Sequence, residues 1–106
     1  MADIDYIIAE AKKLDNAVTV IEEPVWGEYG GVRLRIWFDN GYGASCVRMH
    51  GSYGGDEGLW ELAVITGDDD YYELCYDTGI TDDTIGWLTA EQAVEIIGQI
   101  SELERR

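Results

Sequence analysis

The stretch VRLRIWF, residues 32–38, alternates cleanly: Val32, Leu34, Ile36 and Phe38 fall on one side, Arg33, Arg35 and Trp37 on the other. Successive side chains of a strand point to opposite faces, so one face of this strand is apolar and the other is charged and aromatic. Asn40-Gly41 follows at once, a pair tolerant of the positive φ of a tight hairpin turn, and YGASCVRMH reads as the returning strand. A chain that commits this early to a one-sided hairpin must cover the apolar face with something else.

The two ends supply that cover. In DIDYIIAEAKKL, Ile4, Ile7, Ile8, Ala11 and Leu14 recur at helical spacing, with Asp3 as the expected N-cap. Lys12 and Lys13 suit the negative end of that helix. At the other end Thr89 and Gln92 form a capping box, followed by the apolar stripe Val94, Ile97, Ile100 and Leu103, with Ile96 beside it. Gly98 interrupts this helix and is expected to mark close packing on the sheet. Between the helices, NAVTVIEE reads as a strand stopped by Pro24, GSYGGDEG as a long hairpin loop and LWELAVIT as a strand. GDDD is then a tight turn, YYELCYDT the strand that returns, and GITDDTIGWL an irregular segment. The reading is one α+β domain over residues 1–106. An antiparallel meander of about five strands carries an N-terminal and a C-terminal helix on one face.

Charge narrows the partners. The net charge is −15, and residues 61–95 hold ten acids and no base. Such a field repels nucleic acid and anionic membranes and attracts basic surfaces, so direct DNA or RNA binding is not expected. No apolar run approaches a membrane span, and the N-terminus lacks the pattern of a secretory signal. Cys46 and Cys75 match no metal-ligand spacing and are expected as buried free thiols in a reducing, cytoplasmic setting, with a disulfide between neighbouring strands as the alternative.

Catalytic and cofactor chemistry finds little support. The glycine loop has Asp56 and Glu57 where a phosphate cradle needs lysine and a hydroxyl. Counted from Asp68, a calcium loop would need glycine and glutamate where Glu73 and Gly79 stand. His50 is the single histidine, and on one strand it lies about 13 Å from Cys46, beyond hydrogen-bond reach. No catalytic residue, cofactor or metal is assigned. The aromatics say more: four tryptophans and seven tyrosines are many for 106 residues. Trp37, on the face away from the apolar quartet, is either covered by a second layer or exposed for contact.

The closing segment YYELCYDTGITDDTIGWLTAEQAVEIIGQISEL, residues 71–103, resembles the ends of small proteins carried by phages and prophages, in which a strand leads through an ITDD-IG-LT turn into a final helix. A helix–sheet–helix order with a strong acidic surplus is similar in type to anti-CRISPR inhibitors, several of which occupy the basic nucleic-acid groove of a CRISPR effector. The resemblance implies a non-enzymatic inhibitor, acting in the host cytoplasm, that docks on a basic nucleic-acid-binding protein, with a CRISPR-Cas effector as the sharpest candidate. The expected contact set is Asp68, Asp69, Asp70, Tyr71, Glu73, Asp77, Asp82 and Asp83, whose carboxylates would stand in for phosphates. The competing readings are a phage accessory or assembly protein that self-associates, as a homodimer, through an exposed sheet face, and a small enzyme with substrate between the glycine loop and His50.

Overall fold

The computed structural model describes residues 2–25, 30–49, 58–80 and 84–105. Helix α1 (Ala2–Lys12) leads into strands β1 (Ala17–Val25), β2 (Gly31–Phe38), β3 (Tyr42–Met49), β4 (Trp60–Gly67), β5 (Tyr72–Leu74) and β6 (Ile85–Leu88), and helix α2 (Ala90–Ser101) follows. All pairings are antiparallel, in the spatial order β1-β2-β3-β4-β5, with β6 also on β4. Because β3 occupies one side of β4, β5 and β6 share the other: β5 lies against Ile65–Gly67, β6 against Trp60 and Leu62. This is the expected α+β meander with a short sixth strand added.

The alternation in residues 32–38 builds the core as its pattern predicts. Leu34, Ile36 and Phe38 join Ala44 and Cys46 of β3 and Trp60, Leu62 and Val64 of β4 on one face. Ile7 and Ala11 of α1 and Ala93, Ile97 and Ile100 of α2 close over them. Fully burying one such aliphatic side chain stabilises the fold by about 1.5–3 kcal/mol. Thr89 and Gln92 form the expected capping box at the start of α2.

Several local expectations are corrected. Pro24 does not stop β1; it sits inside the strand opposite Val32, tolerated because β1 is an edge and needs no N–H there. The irregular reading of GITDDTIGWL missed β6, whose pairing skips a residue between Leu88 and Ile85 while β4 advances only from Trp60 to Leu62. That extra residue is a bulge, and Trp87 beside it takes a φ of 61°, unusual for a bulky residue. Asp3 lies within the first turn of α1 rather than capping it, and its carboxylate is held by Arg48 and by the Trp60 indole N–H at 3.3 Å. Gly98 marks no close approach, since a Cβ there would meet nothing within 4 Å.

Asn40 also departs from its expected role. Only Gly41 takes a positive φ, at 86°. The Asn40 side chain is buried, donating to the carbonyls of Ile100 and Leu103 at 3.0 Å each, while its Oδ1 accepts from the Tyr42 N–H at 2.9 Å. Asn16, in the turn before β1, donates to the Ser101 carbonyl at 2.8 Å. The last turn of α2 has no basic residue, so its carbonyls are satisfied by these two asparagines from distant turns.

Candidate functional site

The sheet face opposite the helices is organised around Arg35. Glu23 of β1 reaches across to it and to Arg33, the latter at 3.5 Å. From the turn between β4 and β5, Asp69 folds back over the same face. Its Oδ1 accepts from Arg35 Nε at 2.6 Å and from the Trp37 indole N–H at 3.0 Å, and its Oδ2 from Arg35 Nη2 at 3.2 Å. The Arg35 guanidinium holds the Asp69 and Glu23 carboxyls below their ordinary range, and the two carboxylates raise Arg35 in turn. Trp37 lies flat over its cross-strand neighbour Gly43, where a Cβ would stand 2.7 Å from the indole ring. Tyr72 packs edge-on against Trp37 at 5.9 Å. The question about Trp37 is thereby answered: it is covered, with 7% of its surface exposed.

The same turn faces outward with its other residues. Asp68 Oδ1 accepts from the N–H groups of Asp70 and Tyr71 at 2.9 and 3.0 Å, a local device that fixes the turn. Gly67, at φ 115°, is required here because a Cβ would lie 2.3 Å from the Tyr71 carbonyl oxygen. Tyr71 is consequently thrown outward and is 85% exposed. Asp70 and Glu73 are exposed with no basic partner among the described residues. Asp77 is exposed and accepts from the Cys75 thiol at 3.0 Å. The expected contact set is therefore divided: Asp69 turns inward, Asp68 serves the turn, and Asp70, Tyr71, Glu73 and Asp77 face solvent. Asp82 and Asp83 lie outside the described residues, as do His50 and the glycine loop to Glu57.

Exposed apolar surface gathers in the same region, extending beyond the Tyr71 expected there from the sequence. Among the described residues the large exposed hydrophobic side chains are Tyr6, Val18, Tyr71, Leu74, Tyr76 and Trp87. Four of these six lie between residues 71 and 87, on the β5 and β6 side of the sheet. Leu74 and Tyr76 were missed because YYELCYDT reads as one regular strand, whereas the strand ends at Leu74 and the chain leaves the sheet after Cys75. The signal available in sequence was the density of tyrosine among the acids.

Two further ion pairs lie elsewhere among the described residues. Arg48 pairs with Asp3 and lies 4.6 Å from the centre of the Trp60 ring, and Lys13 pairs with Glu10 at 2.7 Å. Both cysteines are free thiols and buried; burial pushes the Cys46 thiol up to about 12, leaving it protonated and inert near neutrality. A groove of about 250 Å³ runs over the open face between Arg33, Val47, Glu61, Tyr72 and Leu74. Among the described residues no three His, Cys, Asp or Glu side chains converge as a metal-ligand group. No described helix is long and apolar enough to cross a membrane. Comparison with protein-family models, with curated proteins and with solved structures found no match.

Proposed function

We propose that this protein is a non-enzymatic, phage-encoded inhibitor that acts in the host cytoplasm. It binds a basic nucleic-acid-binding protein, a CRISPR-Cas effector being the sharpest candidate, and denies it nucleic acid. The observation that carries the reading is a coincidence along one sheet edge: the uncompensated Asp70 and Glu73 share the β5–β6 side with four of the six large exposed hydrophobics. Carboxylates steer a basic partner toward the edge, and aromatic side chains supply the buried anchors in which interface energy concentrates. The described arginines at 33, 35 and 48 all face carboxylates of their own chain, so they do not dilute the field. The competing reading, self-association through the open sheet face, loses Trp37 as an anchor because that ring is buried.

The test is capture of partners from host lysate by the wild-type chain and by a double variant, Asp70→Asn with Glu73→Gln. A nucleic-acid-binding protein should be retained by the wild type, less by the variant, and progressively less as salt rises past about 0.15 M, where the screening length is about 8 Å. Full retention by the variant at every salt concentration would leave these carboxylates as a merely solvated surface.

A further inference from the structure

The ladder between β4 and β5 determines which backbone groups of β5 are spare. The Asp68 N–H donates to the Tyr71 carbonyl at 3.1 Å, and the Cys75 N–H donates to the Val64 carbonyl at 2.8 Å. Between those bonds, Gly67, Thr66 and Ile65 stand opposite Tyr72, Glu73 and Leu74. Bonded and non-bonded pairs alternate along an antiparallel ladder, so Glu73 turns its N–H and C=O toward Thr66. Those of Tyr72 and Leu74 must then point away from the sheet. Among the described residues no strand lies beyond β5 on that side.

The two edges of the sheet are treated differently. On β1 the register slips at Val18, Pro24 interrupts the row of donors, and Glu22 and Glu23 add charge. Bulges, prolines and charges are the means by which proteins keep an edge from pairing. The β5 edge is short and carries Glu73, but it has neither proline nor bulge, and its own Leu74 and the flanking Tyr71 and Tyr76 are exposed.

We propose that the β5 edge receives an extended, arginine- or lysine-bearing segment of a partner protein as an added strand, pairing with the N–H and C=O groups of Tyr72 and Leu74. This rests on the partner reading above and gives it a binding mode, in which main-chain bonds supply affinity and side chains supply choice. Charge selects the occupant: residues 61–95 contain no base, and Asp70 and Glu73 lie alongside the edge. The faces of Tyr71 and Tyr76 are available to a guanidinium or ammonium group. A second copy of this chain fits poorly, because pairing two such edges would set the Asp70 and Glu73 carboxylates of one against those of the other.

The probe is a short peptide alternating arginine and valine, compared with the same peptide N-methylated at every backbone amide. Both are titrated into the intact chain while amide exchange is followed by NMR. Added-strand pairing should slow exchange at Tyr72 and Leu74 by roughly tenfold or more and should weaken the methylated peptide by a similar factor. Leu74→Pro should weaken the unmodified peptide likewise while keeping the β4 ladder, since only the outward N–H is lost. Equal binding of both peptides with unprotected Tyr72 and Leu74 amides overturns the added strand. The acidic-edge reading would survive that result if Asp70→Asn with Glu73→Gln still lost affinity. Absence of binding by either peptide overturns the added strand as well, and the lysate capture then decides the partner reading by itself. A wild-type dimer in sedimentation that Leu74→Pro abolishes would assign the edge to a second copy and overturn the proposal.

Discussion

The two faces of the sheet are built from the same alternating strand, yet they are held by different forces. Under the helices, Leu34, Ile36, Leu62 and Val64 are fully buried and non-polar, so their contribution follows area and shape. On the open face, Arg35 is fixed by two carboxylates whose side chains remain more than a third exposed, Asp69 at 36% and Glu23 at 38%. The first kind of cohesion contains no ionisable group and is not weakened by charge screening. The second is partly screened by solvent and depends on the ionisation of two acids. A sheet face left without helices is thus closed by a turn, and that turn belongs to the most acidic part of the chain.

The sharpest contrast comes from truncating each centre. Leu62→Ala should cost about 2–5 kcal/mol, by lost transfer energy and a residual cavity, and the loss measured by urea unfolding should be the same at every pH where the protein folds. Arg35→Ala should cost less, roughly 1–3 kcal/mol, because it leaves the Asp69 and Glu23 carboxylates with water as a substitute partner. If the two losses are equal and neither varies with pH, the distinction between the faces is broken.

Acid titration sharpens it further. The folded state holds Asp69 and Glu23 below their unfolded values, so their contribution is complete above the unfolded carboxylate range and is lost as pH falls through the lower folded values. Melting temperature should therefore drop from about pH 4.5 downward, and the drop should be shallower in Arg35→Ala than in the wild type. Parallel acid curves would refute the role given to the pair.

Smaller effects separate neighbours within one element. Gly98→Ala should raise stability by up to about 1 kcal/mol, since an alanine methyl there meets open space and the helix loses less backbone entropy. Asp70→Asn should move stability by no more than about 0.5 kcal/mol, upward if at all. Asp69→Asn, one position earlier, should be destabilising. Neutralising like charges in residues 68–70 would by repulsion alone leave the fold intact or improve it; the Asp69 contacts with Arg35 and Trp37 reverse that for one of the three.

The legible parts of this protein are those in which a residue's fate follows from its neighbours in sequence. Residues 32–38 announce their two faces, and Thr89 with Gln92 announces a helix start, because alternation and capping are local. The partner of Arg35 was not legible, since Asp69 is 34 positions away and nothing in GDDD tells which aspartate the turn rotates inward. The strand β6 was hidden by its own composition: four residues with a glycine in second place carry no alternation, and the bulge beside Trp87 breaks what period there is. Of the expected contact residues, the outward placement of Tyr71 became visible only with the geometry at Gly67 and Asp68.

The attachment of the last helix has a consequence for the order of events during synthesis. Asn16 and Asn40 bond to carbonyls 85 and 60 residues further along, so the turns on either side of β1 and β2 cannot complete their bonding until Ile100 and Ser101 have left the ribosome. The first hairpin can form early with α1 beside it, but its apolar face stays incompletely covered until α2 arrives, since Ile97 and Ile100 are part of its cover. Folding should accordingly be a single late event, and a chain stalled before residue 100 should be a substrate for chaperones and proteases rather than a partly working protein.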